Sequence, residues 1–417
     1  MKTPNYNRTR LACFTAYFTM SSVFSLPPIL FVTLRDMYNI SYTLLGTLVL
    51  VNFCTQLCID LIFTFFTKYF NVHKIVKIMP VITSAGMLIY ALVPTFFPGY
   101  AYIGLLVGTV IFSVSAGLSE VLLSPVIAAI PSKNPQRDMS MLHSLYAFGV
   151  LTVVIISTIF IRVFGAQNWM YLTIFFAVFP LIAAFLFAVS PLPDMDLTHS
   201  GAKEKNSESR NLGLLICAGC IFFGSCAENA MSNWISSYME NALHISKTVG
   251  DILGMAVFAV LLGIGRITYA KFGKNISAVL LGGMAGAAVC YLIAGLSANV
   301  IFAFAACILT GLFTSMLWPG SLILMEEKIP CAGVAAYALM AASGDLGASV
   351  APQLLGIVVD KVSESGFAAE LSSTSTLTAE QIGMKAGMLV TAIFPIIGTI
   401  LLICAVKHFK KLRTAQD

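Results

Sequence analysis

Four carboxylates stand well inside long apolar stretches of this chain: Asp60, Glu120, Glu228 and Asp345. An ionised side chain at the middle of a bilayer costs about 2.5–3.5 kcal/mol even on insertion scales, so each of these is a candidate for chemistry. No Lys or Arg lies at comparable depth, because Arg266 falls near the end of its stretch. An anionic solute would want a buried cation. Carboxylates without one suit a proton or Na+, or a cationic solute.

The neighbours of each acid sharpen the reading. Glu120 has Ser115, Ser119 and Ser124 close by, a polar strip on one helical face. His143, one turn into the following apolar stretch, is near enough in topology to exchange a proton with it. Asp60 belongs to a ladder of Asn52, Gln56, Asp60 and Thr64, spaced by four and so stacked on one face. Such a face must look at protein or water, not lipid. Gln56, Asp60 and Arg266 read as gating or structural groups. Glu228 is flanked by Asn229, Ser232, Asn233 and Ser236, again three and four apart. Asp345 lies in Ser343-Gly344-Asp345-Leu346-Gly347, where it either bonds to neighbouring backbone or serves a second ion site. For all four acids, plain hydrogen bonding between helices is the competing explanation, at about 0.6 kcal/mol per contact.

Twelve apolar stretches must position these groups, at 11–34, 42–66, 75–95, 101–128, 139–164, 168–190, 212–238, 249–270, 276–297, 299–325, 332–359 and 384–406. A hydrocarbon core of about 30 Å takes about 20 helical residues. Only 10% of the chain is charged, against about 25% in a soluble domain. The fold class is therefore an all-α membrane protein. The spans fall six and six around one polar stretch, which divides the chain into bundles at 1–190 and 212–417 joined by a linker at 191–211. With the N-terminus inside, 19 of the 24 basic residues fall in inside segments, so both termini and the linker are expected in the cytoplasm. The polar segment 362–381 reads as a mobile, solvated excursion on the outside.

The two halves share a pattern. Gly117-Leu118, Leu123 and Pro125 in the fourth span recur 194 places later as Gly311-Leu312, Leu317 and Pro319 in the tenth. A basic turn follows the second span (Phe70-Asn71 before Lys74) and recurs after the eighth (Phe272-Gly273 before Lys274). Internal repeats of this kind mark transporter folds. With these motifs, and with Leu317-Trp318-Pro319-Gly320 and the run Gly347 to Pro352 followed by Gly356 and Asp360, the chain resembles the major facilitator superfamily. More narrowly it is similar to the fucose-permease-like branch of sugar transporters. The resemblance implies two pseudo-symmetric six-helix bundles with spans 1, 4, 7 and 10 around a central cavity. It implies a functional acid in the fourth span, where Glu120 is the one available. It also turns the polar strips of Tyr17, Ser22, Glu228, Asn229 and Asn233 toward the cavity.

Tyr17, Tyr146, Trp234 and Trp318 would offer ring faces to a sugar there, although packing explains large aromatics almost as well. The implied activity is proton-coupled (or Na+-coupled) symport of a neutral polar solute such as a sugar. Two other readings stay open: proton-driven export of a cationic or amphipathic compound, and a membrane receptor that keeps the fold without turnover. The surroundings are the bilayer of the plasma membrane, with a small-molecule substrate as partner and one copy acting alone. No Walker motif, no H-E-x-x-H, no third glycine after Gly263-x-Gly265 and no disulfide framework among the ten cysteines are present. Neither enzyme activity, cofactor, metal nor nucleic acid is expected.

Overall fold

In the computed structural model, residues 5–66, 69–132, 135–193, 208–329 and 334–414 are described, and among them no strand occurs. The first six spans are α1 (Asn7–Tyr38), α2 (Tyr42–Phe66), α3 (Val72–Phe96), α4 (Ala101–Ala129), α5 (Pro135–Phe164) and α6 (Trp169–Ala188). The seventh is α7 (Glu208–Asn241). The eighth combines the short α8 (Lys247–Val249), a π-turn (Gly250–Ala256) and α9 (Val257–Phe272). α10 (Ile276–Leu296) is the ninth, α11 (Val300–Thr314) with α12 (Leu317–Lys328) the tenth, and α13 (Val334–Ser363) the eleventh. After α14 (Gly366–Thr374), the twelfth span is α15 (Ala379–Thr391) with α16 (Ile393–Thr414). Among the described residues eleven of these spans are long and apolar enough to cross a bilayer, and Phe148–Phe164 of α5 supplies a shorter apolar stretch. Helices dominate because hydrocarbon offers no partner to an open backbone N–H or C=O. Most of the linker, residues 194–207, lies outside the described residues, as does Lys68.

The chain divides into two compact units, Met1–Ile40 with Val51–Thr198 and Ser41–Leu50 with His199–Asp417. In the first unit α3 and α4 meet where both lack side chains. A Cβ on Gly86 would lie 2.5 Å from the Phe112 nitrogen and 2.9 Å from the Gly108 oxygen; one on Gly108 would lie 2.8 Å from the Gly86 oxygen. Close backbone approach of this kind drives helix association in lipid. The Thr83 and Ser115 hydroxyls bond at 2.7 Å across the same seam, and Ser84 donates to the Ala177 carbonyl of α6 at 2.5 Å. Arg10 of α1 pairs with Asp138 of α5 at 3.0 Å. Because backbone cannot retreat as a side chain can, Gly86→Val is expected to cost about 1–3 kcal/mol or more by overpacking. Gly99→Ala, at a position with nothing within 4 Å of an added Cβ, serves as the neutral comparison. Thermal unfolding of the two purified variants in detergent checks both.

In the second unit Asp360, near the end of α13, accepts from the backbone nitrogens of Tyr42 (3.0 Å) and Thr43 (2.5 Å) at the start of α2. A carboxylate there meets the exposed N–H groups and the positive end of the helix dipole. The Tyr42 hydroxyl donates to Glu380 at 2.5 Å and accepts from Asn241 at 2.7 Å.

The segment 362–381 is ordered, not the mobile excursion expected of it. Ser365 caps α14 by accepting from the Ala368 nitrogen at 3.2 Å, and Ala368 is buried. Thr378 and Gln381 form a capping box at the start of α15. Gln381 also donates to the Ala242 carbonyl at 2.9 Å. Polar composition at this end supplies caps rather than disorder.

Candidate functional site

Pro319 organises the most distinctive polar centre, which lies in the second unit. A helical N–H at position 319 would close on the Ser315 carbonyl, and proline has none. The tenth span breaks there, between Thr314 and Leu317. The Arg266 Nε of α9 donates into the Ser315 carbonyl at 3.0 Å. Gly265 permits that approach, since a Cβ on it would collide with the Ser315 side chain.

From this anchorage the Arg266 Nη2 lies 3.5 Å from Oε1 of Glu228 on α7. The carboxylate side chain is 18% exposed and the guanidinium 45%. The second oxygen of Glu228 is buried and has no hydrogen-bond partner among the described residues. Sequence placed Arg266 at the edge of its span and found no cation at the depth of the acids. The structure corrects that: the Cα is near the end, but the long side chain carries its charge to Glu228.

The flanking amides turn back on their own helix. Asn229 Nδ2 donates to the Ser225 carbonyl (3.1 Å) and hydroxyl (3.2 Å), and Asn233 Nδ2 to the Asn229 carbonyl at 2.8 Å. Trp234 is completely buried, donates from its indole to the Pro352 carbonyl at 3.0 Å and packs on Tyr42 at 5.5 Å between ring centroids. It leaves no ring face open to a solute, contrary to the role sequence offered it. Trp318 lies against Gly344 of α13, where an added Cβ would strike its six-membered ring. Its neighbour Asp345 is buried.

In the first unit Glu120 is exposed on α4, while Ser115 and Ser119 are buried. Ser115 donates to the Met79 carbonyl at 2.5 Å and Ser119 to its own helix at the Ser115 carbonyl, 2.8 Å away. Ser115, which also meets the Thr83 hydroxyl, and Ser119 therefore take partners other than the acid. Tyr17 and Tyr146 meet edge to face at 6.4 Å, with Phe24 against Tyr146 at 5.8 Å. The Ser22 hydroxyl donates to the Thr19 carbonyl at 2.7 Å and touches the Met87 sulfur of α3 at 3.8 Å, so it faces inward. Gln56 donates to Asn52 at 3.0 Å, and Asn52 accepts from Ser113 of α4 at 2.6 Å, so that part of the ladder ties α2 to α4. Asp60 is half-buried in the same helix. His143 falls in α5, and its side chain lies outside the described residues.

Sequence reading missed one buried acid. Asp251, in the π-turn, is 0% exposed, accepts from the Ser236 hydroxyl and lies 3.6 Å from Lys247. Lys247 in turn lies 3.8 Å from Glu240. The i, i+4 spacing of Lys247 and Asp251 was the available signal. It was hidden by their place at the outer edge of the span.

The family model described as Major Facilitator Superfamily matches residues 11–352. A bacterial homolog of the human lysosomal transporter Spinster, in an inward-facing and occupied conformation, superposes with a TM-score of 0.76 at 14% identity, covering 99% of each chain. A D-xylose-proton symporter gives 0.72 at 15% identity, over 93% of this chain and 96% of that one. The Escherichia coli fucose:proton symporter gives 0.57 at 14% identity, over 96% and 99%. A search of curated proteins finds no match.

Proposed function

The chain belongs to the Major Facilitator Superfamily, and from that premise we propose that it is a secondary active transporter, carrying a polar, sugar-like solute together with a proton by alternating access. The observation that carries this reading is the Glu228–Arg266 pair, held among apolar spans with nearly half of the guanidinium open. A polar solute needs such donors and acceptors at a site that excludes lipid. Arg266 also offsets the charge of Glu228, which takes away a carboxylate that would have held a cationic solute. Import of a sugar-like compound is favoured over export of cations on that ground. The sugar-proton symporters among the structural neighbours are in keeping with it.

Glu120 is assigned the coupling proton, with His143 as its exchange partner. The halves 1–190 and 212–417 are assigned the alternating movement, with the linker 191–211 and both termini in the cytoplasm of a plasma-membrane protein that acts as a monomer.

Uptake of radiolabelled sugars into proteoliposomes tests the reading. An inward proton gradient is expected to drive accumulation above the equilibrium level, and a protonophore to abolish the excess. Accumulation that ignores the proton gradient but follows an imposed Na+ gradient would replace the proton by Na+. Efflux of organic cations against protons, without sugar uptake, would reverse the assignment.

A further inference from the structure

We infer that the solute carries a carboxylate, and that Arg266 binds it by exchanging Glu228 for the carboxylate of the solute; the inference rests on the transport reading and narrows its substrate class to sugar acids. Three observations carry it.

The ion pair is slack. A charge-assisted N–H···O contact closes to about 2.7–2.9 Å and a guanidinium prefers to meet both oxygens of a carboxylate. Here Nη2 and Oε1 stand 3.5 Å apart, and the other Glu228 oxygen is buried with no hydrogen-bond partner among the described residues. A mobile carboxylate able to meet the fork of Arg266 squarely would form the stronger pair.

The guanidinium is also pre-positioned. Its Nε is bound to the Ser315 carbonyl, which fixes the plane while leaving the two terminal nitrogens to a ligand. Ordering the fork in advance removes an entropic cost of binding. The 45% exposure gives a ligand access to it.

Finally, the charge count suits a monoanion. Among the described residues, the other basic residues of the second unit lie toward span ends or in the turns between them, among them Lys247, Lys271, Lys274, Lys328, Lys361 and Lys385. One guanidinium matches one carboxylate, whereas a dianionic phosphate calls for more positive charge or a helix N-terminus.

Calorimetric titration of the full-length protein in nanodiscs tests this with two matched probes, D-galacturonate and D-galactose, which differ at one carboxylate. Galacturonate is expected to bind at least tenfold more tightly. Glu228→Gln, which removes the internal competitor and keeps the shape, is expected to strengthen galacturonate binding at least tenfold. A merely structural pair would leave it unchanged or weaken it. Arg266→Gln is expected to erase the preference for the acid, and Arg266→Lys to restore part of it should the glutamine variant fold poorly. Equal affinity for both probes, or no gain in the Glu228→Gln protein, would overturn the carboxylate assignment and leave proton-coupled sugar transport standing. Binding of neither probe by folded wild-type protein, together with no gradient-driven uptake of any sugar, would remove both.

Discussion

Replacing Arg266 with leucine is expected to weaken uptake at low solute concentration and to lower the thermal unfolding midpoint, while the double variant Glu228→Leu/Arg266→Leu recovers the midpoint but not the uptake. The one side chain has two separable effects. Loss of the guanidinium strands an acid that is 18% exposed. An acceptor left without a partner at that depth costs about 1–3 kcal/mol, more if charged. Removing both charged groups lifts that penalty, since an apolar replacement of a buried pair is often neutral or stabilising. Transport has no such compensation. Truncating one member of a buried charge pair weakens binding by about 2–5 kcal/mol. The 45% exposure of Arg266 places this case at the low end, roughly 30-fold. A double variant as unstable as Arg266→Leu alone would show that the Ser315 contact, and not the ion pair, carries the stability.

That centre also shows where sequence reading stops. Span number, helical class and the six-plus-six division follow from hydropathy and basic residues, because bilayer thickness leaves few alternatives. Pro319 was legible as the counterpart of Pro125 in the repeat. Its consequence was not, since the group that takes up the Ser315 carbonyl is 49 residues earlier in the chain. Arg266 was misplaced for a related reason: a span boundary locates a Cα, whereas the charge of an arginine sits at the far end of a long, flexible stem. Asp251 was passed over because it stands two residues into its span, and only the packing of the π-turn on α7 buries it completely. The serines beside Glu120 show the opposite error. Their spacing suggested a common polar face with the acid, yet the bonds of Ser115 and Ser119 run to backbone carbonyls. Periodicity identifies which residues share a face, but not which partner each takes up.

Glu120→Gln is expected to abolish gradient-driven accumulation while leaving exchange of labelled for unlabelled solute intact. For one proton per solute, a gradient of two pH units supports about hundredfold accumulation, because each pH unit is worth about 1.36 kcal/mol. The variant should bring that ratio to about one. Counterflow needs only that the loaded carrier reorient, so it survives when the proton is no longer required. The repeat argues against a purely architectural role for this acid. Shifting Glu120 by the 194-residue offset of the repeat lands on Thr314, which is buried and bonded to the Thr310 carbonyl at 2.9 Å. The scaffold at the equivalent place in the other half is thus built without a carboxylate. Glutamine keeps the size of the side chain and its capacity for hydrogen bonds, so a residue that only joins helices would tolerate the change within about 0.6 kcal/mol. Equal accumulation by wild type and Glu120→Gln would therefore move the coupling proton off α4. Glu228 would then be the next carboxylate to test, since its pairing with Arg266 already links a charge on the protein to the binding of the solute.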